Sequence, residues 1–370
     1  MVKVLHVISD TGIGGAGVLL CNLLSCLDRK RFEVTVVVPK GSMLVPRIRS
    51  LEIAVIEIPH GADRSADFRA ITSLFCIVRA KRPHIIHTHS ALYARLAGWF
   101  CRVPISVNTR HCAYMNEPSS PISRLTTYCF ERMTGNRTIA TADYVKEVLL
   151  TRGVPSNAIH IIHNGSPPCR KLTEKEKNDV RRNLGLSESN FIVGIVARLE
   201  AGKGHETLLR AARICIEKTP SIRFVIVGDG SRSEKLRKLT HDLGLEKHVI
   251  FTGFCSDVAP FMNILHLNVN CSEQSETSSL SLSEGMSVGA VPVVSNCGGN
   301  SYMAGFGESG MIFPIGDAAA LANIILALEK NRIELEELSR KCIERFQQHL
   351  TAAEMTRQVE ALYDRLLQTL

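Results

Sequence analysis

Two glutamates, Glu276 and Glu284, bracket the hydroxyl-rich stretch Thr277-Ser278-Ser279-Leu280-Ser281-Leu282-Ser283. On one continuous helix, eight residues turn about 800° and rise about 12 Å, so the two carboxylates would point about 80° apart and not converge. If Glu276 instead lies in a loop and a helix starts near Ser279 and Leu280, amides at that end can hold a phosphate with a carboxylate on either side. A phosphorylated polyhydroxyl ligand fits that arrangement. Upstream, Arg198 and Lys203-Gly204 follow a strand-like run ending Val196-Ala197. Two cations at the C-terminal edge of such a strand lie where open α/β sheets bind ligands, and a planar guanidinium with a compact ammonium can neutralise a diphosphate.

A third constellation follows the first apolar run. Gly12-Ile13-Gly14-Gly15-Ala16-Gly17 satisfies the spacing G-x-G-x-x-G. Nicotinamide binding also needs an acidic residue closing the second strand, where this chain has Val38-Pro39-Lys40, so NAD is not expected. An anion held near Gly14 and Gly15 is. His84, His87 and His89 invite a metal reading, but no carboxylate or cysteine joins them, and they read as neutral histidines at a cleft-facing strand end. No metal site is expected, and the lone Trp99 is expected in the core.

The elements that position these residues alternate throughout. Apolar β-branched runs at Val2–Ile8, Phe32–Val38, Ala54–Ile58, Ile85–Thr88, Ile105–Thr109, Thr138–Ala140 and His160–Ile162 are separated by helical patterns. The scheme restarts with Phe191–Val196, Arg223–Val227, Val249–Phe251, Leu265–Val269 and Val291–Val294. This is the pattern of parallel βαβ units, and it predicts two doubly wound domains, 1–167 and 168–350. Between them, His163-Asn164-Gly165-Ser166-Pro167-Pro168 breaks any element. The segment 351–370 reads as an amphipathic helix returning to the first domain.

At 370 residues with 45% hydrophobic content the chain is globular, and disorder is excluded. Twelve scattered cysteines without a C-x-x-C pair suggest a reducing, cytoplasmic setting, and no targeting or membrane-spanning segment is read. The net charge of +8 is unevenly held: residues 1–167 carry 20 Lys and Arg against 11 Asp and Glu, and the rest is nearly balanced. A basic half points to a phosphorylated ligand, an anionic membrane surface or nucleic acid. Arg29-Lys30-Arg31, and Arg79, Lys81 and Arg82 after Phe68, Leu74 and Phe75, mark where a membrane would be met.

The ordered set Gly14-Gly15, His111, Asn164-Gly165, Arg198, Lys203-Gly204, Gly228-Asp229-Gly230, Glu276, Glu284 and Gly298-Gly299 resembles glycosyltransferase family four, retaining enzymes of the GT-B fold. The resemblance implies two Rossmann-like domains facing across a cleft, with a nucleotide diphosphate sugar as donor, a glycan or lipid-linked acceptor, no cofactor and no nucleic acid. By position it implies that Arg198 and Lys203 hold the diphosphate with the Gly15 amide, and that Glu284 binds the ribose. Glu276 would contact the donor sugar, and His111 would meet it near the reacting carbon. Phe254 and Cys255 fall where the base is held. Thr277-Ser278-Ser279 departs from the family's glycine-rich, aromatic-containing loop and narrows the approach to the sugar. No D-x-D occurs, so protein cations are expected to replace a divalent ion. A silent GT-B scaffold subunit and a nucleotide-sugar 2-epimerase are the alternatives, and the expected setting is the cytoplasm, with peripheral association at the inner face of the membrane open beside a soluble acceptor.

Overall fold

In the computed structural model, which describes residues 1–89, 91–111 and 120–370, the chain forms two compact units, Met1–Gly165 with Ala352–Leu370, and Ser166–Thr351. The division falls two residues earlier than the linker prolines suggest. Ser166 already belongs to the second unit, because it pairs with Thr351, its amide donates to the Leu350 carbonyl, and its Oγ lies 2.9 Å from Ser283 Oγ. The C-terminal segment changes unit at Ala352, one residue later than expected.

The first unit holds seven parallel strands, β1 (Val2–Ile8), β2 (Phe32–Pro39), β3 (Ala54–Ile58), β4 (Ile85–His89), β5 (Ile105–Arg110), β6 (Arg137–Ala140) and β7 (Ile159–Ile161). Their order is β3-β2-β1-β4-β5-β6-β7, a doubly wound Rossmann-like sheet. Alternation sends Leu5, Val7, Val37 and Ile86 to one apolar layer, and Ile8, Val36 and Val38 to the other, beneath Leu20 and Leu24 of the helix Gly15–Cys26. The helix Ala352–Leu367 also packs on this unit. Its Tyr363 is fully buried against Phe32, and Glu360 and Asp364 bind Arg31.

The second unit holds β8 (Phe191–Val196), β9 (Ile222–Val227), β10 (Val249–Gly253), β11 (Leu267–Asn270), β12 (Val291–Ser295) and β13 (Met311–Phe313), all parallel, in the order β10-β9-β8-β11-β12-β13. β13 is three residues long, too short for its pattern to stand out in the sequence. The charged stretch after the linker becomes the helix Glu174–Asn183, started by a capping box between Thr173 and Glu176.

Three expectations about the first unit are corrected. Trp99 is 38% exposed rather than core. Leu74 is fully buried and Arg31 is neutralised by two carboxylates, so neither serves an outer basic-apolar surface. His87 and His89 share a face as alternation requires, but they are buried rather than facing a cleft. Among the described residues no helix is long and apolar enough to cross a membrane.

Candidate functional site

In the second unit most of the candidate residues collect on loops at the C-terminal ends of the strands. The loop after β8 is tied to the loop after β9, with the Leu199 amide donating to Asp229 O and the Arg232 amide to Leu199 O. Two motif glycines allow close backbone approaches, Gly228 between these two loops and Gly204 between the first of them and the end of β11. A Cβ on Gly228 would fall 2.0 Å from Ala197 O, and one on Gly204 would fall 1.9 Å from Cys271 O; both have positive φ. Arg198 is left exposed at the start of the loop.

Lys203 and Glu276 meet directly. Lys203 Nζ donates to Glu276 Oε2 at 2.8 Å, and the same oxygen accepts from Ser272 Oγ at 2.8 Å and Asn270 Nδ2 at 3.4 Å. Oε1 accepts from no described residue. The carboxylate is thus oriented by one oxygen, with the other available to a hydroxyl. The expected diphosphate cation and the expected sugar-binding carboxylate are therefore one ion pair. Gly299 N donates to Glu276 O at 2.8 Å, which fixes the backbone of this loop.

Glu276 and Glu284 do not share a helix. Glu276 lies in the loop, Ser279 is the N-cap, and the helix runs Leu280–Met286 with Glu284 on its second turn. Burial, and secondarily the nearby Asp257, push the Glu284 carboxyl up to about 7. Ser278 is buried with no partner for its Oγ among the described residues, and Ser279 Oγ lies 3.0 Å from Ser281 Oγ. These hydroxyls stand where a glycine-rich loop would be bare. After β10, Phe254 is 78% exposed and Cys255 is half-buried, its Sγ 3.7 Å from Thr252 Oγ1.

In the first unit, Gly14 caps the helix that Gly15 opens, at φ −92°. Neither it nor Gly12 nor Gly15 has any atom within 4 Å of where a Cβ would stand, so packing does not require glycine there. Gly17 differs: its Cβ would fall 2.6 Å from Leu44 Cδ2. The open cradle at Gly14 and Gly15, with free amides at a helix start, is the feature an anion would use.

His111 ends a chain of imidazoles. His6 Nδ1 lies 3.2 Å from His89 Nε2, and His89 Nδ1 lies 2.9 Å from His111 Nε2. β1, β4 and β5 are neighbours, with Ile8 opposite His89 and His89 opposite Thr109. Beside the chain, His87 bonds Tyr363 OH at 2.5 Å and Thr109 Oγ1 at 2.7 Å. Burial drives all four histidines to the neutral form, with His111 lowered to about 4 and His6 to about 3. Two neutral tautomer chains are then open: either every proton points toward His111, leaving Nδ1–H as a donor, or every proton points away, leaving Nδ1 as an acceptor. His111 Nδ1 has no partner among the described residues.

The metal reading named His84, which instead accepts from Lys3 N at 2.9 Å. His6 is the residue that joins His87 and His89, with ligand atoms within 4.8 Å of one another. Hydrogen bonds to Tyr363, Thr109 and one another already occupy most of these nitrogens. Sequence reasoning missed His6, Tyr363, Ser272 and Asn270. The signal for the last was a polar residue in a central strand, Asn270 being 8% exposed in β11.

Two family models divide the chain between them. The one described as Glycosyltransferase Family 4 matches residues 13–168, and the one described as Glycosyl transferases group 1 matches residues 176–349. The chain belongs to glycosyltransferase family four. Both carboxylates and both cations of this glycosyltransferase lie in the second span, and Gly14, Gly15 and His111 lie in the first. It is 31% identical over 222 residues to the putative glycosyltransferase EpsD of Bacillus subtilis, covering 59% of this chain and 58% of that protein. It is 26% identical over 288 residues to the UDP-Gal:alpha-D-GlcNAc-diphosphoundecaprenol alpha-1,3-galactosyltransferase of Escherichia coli, covering 75% and 74%. Its fold is GT-B, like that of Anabaena HepE in complex with UDP, with a TM-score of 0.86 at 19% identity over 98% of this chain and 100% of that one. Sucrose-phosphate synthase from Thermosynechococcus elongatus follows at a TM-score of 0.78, also 19% identical, over 100% of both chains.

Proposed function

We propose that this glycosyltransferase moves a sugar, with retention of anomeric configuration, from a nucleotide diphosphate sugar to a glycan or lipid-linked acceptor. The observation that carries this reading is the Lys203–Glu276 pair, with the exposed Arg198 five residues before Lys203 and Glu284 eight residues after Glu276. Breaking the bond between the anomeric carbon and the diphosphate oxygen leaves negative charge on the diphosphate and oxocarbenium character on the sugar. Arg198 and Lys203 stabilise the departing anion, so a divalent ion is not needed. The acceptor hydroxyl attacks the face that the diphosphate leaves, its oxygen forms the new glycosidic bond, and its proton goes to the departing diphosphate. Glu276 Oε1 accepts a hydroxyl of the donor sugar, and Glu284 accepts the ribose hydroxyls beside the base near Phe254 and Cys255. The amides at Ser279 and Leu280 add donors for phosphate. On the first unit by itself, Gly14 and Gly15 offer amides to an anion and His111 offers Nδ1 to a hydroxyl.

Names among the relatives support a nucleotide-sugar donor and, for the Escherichia coli protein, a lipid-linked acceptor. The basic first unit fits work at an anionic membrane surface on the cytoplasmic side. No observation favours an epimerase or a silent scaffold.

The test is incubation with UDP-, GDP- and ADP-sugars, with and without chelator, measuring nucleotide release. Release from one donor class, unchanged by chelator, is expected. Strict dependence on Mg²⁺ or Mn²⁺ overturns the leaving-group chemistry, and binding without release from any donor overturns the transferase.

A further inference from the structure

The helix Pro121–Thr134 is attached to the first unit by its polar side. At about 100° per residue, Thr127, Phe130, Glu131 and Thr134 occupy one arc, and these are its only residues that are not exposed. Glu131 is buried and accepts from Arg95 Nη2 at 2.7 Å and from Asn136 Nδ2 at 3.0 Å. The Arg95 guanidinium also lies over the Phe130 ring at 4.9 Å. A buried ion pair, rather than an apolar stripe, is what docks the helix.

The opposite arc carries Ile122, Leu125, Tyr128, Cys129 and Met133, with Arg132 among them. Ile122 is 76% exposed, Leu125 63% and Met133 52%. A surface helix ordinarily turns such a stripe inward, and a contiguous exposed one marks an interaction surface. The adjoining helix Leu92–Phe100, which supplies Arg95, ends on Trp99 and Phe100, both exposed.

The charge says which partner. The helix's only acidic residue is Glu131, internalised against Arg95, so its outer surface shows Arg124 and Arg132 alone. The first unit holds 22 Lys and Arg against 14 Asp and Glu, while the second holds 22 of each. A protein surface or a second copy of this neutral-to-basic chain offers no general complement to that excess; an anionic bilayer does. Apolar and cationic residues on one helix face suit a helix lying in the headgroup region, and no described helix is able to span.

We propose that the outward face of Pro121–Thr134 is the element by which the first unit embeds in an anionic membrane. This rests on the membrane half of the function proposed above and not on its transfer chemistry. Trp99, the only tryptophan, is a built-in reporter beside it. The full chain is mixed with vesicles of equal phosphatidylglycerol and phosphatidylcholine, or of phosphatidylcholine alone, and followed by cosedimentation and Trp99 emission. Wild type should bind the anionic vesicles at low salt with a blue shift. Leu125→Glu with Met133→Glu should weaken binding at least tenfold while nucleotide release from soluble donor is unchanged, which shows the variant is folded. If wild type binds and the double variant binds equally, the membrane reading stands and this helix is not its anchor. If wild type binds no anionic vesicle even at low salt, the membrane reading itself falls. A concentration-dependent dimer abolished by the same substitutions would make the face a contact between copies and overturn the proposal.

Discussion

The two units share a strand order over six strands, the first adding a seventh, but handle their polar groups in opposite ways. The first buries a histidine cluster inside its sheet layer and carries the whole charge excess; the second is neutral and keeps Arg198, Lys203 and Glu276 on loops at the strand ends, with Glu284 on the short helix that follows. In the first, a candidate residue is oriented from behind, through His89 and His6. In the second, the candidates orient one another. One architecture therefore supports a site built from the core and a site built from loops, and the two should fail differently when altered.

The largest effect is expected in the core-built half. His89→Ala leaves His6 Nδ1 and His111 Nε2 without their partner in a buried setting, and should cost about 2–5 kcal/mol of stability. Urea unfolding measures this, and a loss below about 1 kcal/mol would show that the imidazole chain is not structural. Acid should act on the same half. His6, His87, His89, His111 and His160 have lowered values here, against His205 and His266 in the second unit. A group with a lowered folded value binds more protons when unfolded, so its contribution is complete above about 6.5 and is lost as pH falls toward the folded value. Each such histidine adds up to about 1.4 kcal/mol of loss per pH unit inside that window. Hydrogen exchange at pH 7 and pH 5 should show the first unit opening before the second; the reverse order would break the comparison.

Next comes the loop-built half. Glu276→Ala and Lys203→Ala should each lower turnover by about 10- to 150-fold, equivalent to about 1.5–3 kcal/mol for a charge-assisted contact. Because the pair acts as a unit, the double variant should cost less than the two losses combined. Glu276→Ala should leave nucleoside diphosphate binding nearly intact in calorimetry, and Lys203→Ala should not. Strict additivity would separate two residues that the structure joins.

A smaller effect follows from Glu284. With its carboxyl raised to about 7, it is largely protonated at pH 6 and largely ionised at pH 8, where it accepts hydroxyls best. Nucleoside diphosphate binding should tighten across that range by up to about 1 kcal/mol more in wild type than in Glu284→Gln, which has no titration there. Identical pH profiles would remove Glu284 from the ribose.

The smallest concerns the glycine turn. Gly14→Ala and Gly15→Ala should change stability by less than about 0.5 kcal/mol, since a Cβ meets nothing there, yet weaken donor binding. Gly17→Ala should cost about 1 kcal/mol through Leu44, outweighing its gain in helix propensity. Thermal melts with and without nucleotide separate fold from site.

What the sequence determined by itself was local or periodic. Period-two apolar runs between helical ones specify parallel βαβ units, the turn residues near Gly165 specify the break, and cations after a strand mark its ligand-binding end. The ordering of motifs specified the family. What the tertiary structure decided was every pairing between residues far apart in the chain. Lys203 reaches Glu276 because β11 inserts beside β8, with two intervening strands sent to the other side. His6, His89 and His111 line up because the sheet sets β4 between β1 and β5, although β2 and β3 separate it from β1 in the sequence. The helix Pro121–Thr134 shows its two faces in the sequence, but which one points outward was settled by Arg95, whose buried charge needs Glu131 more than the core needs another leucine.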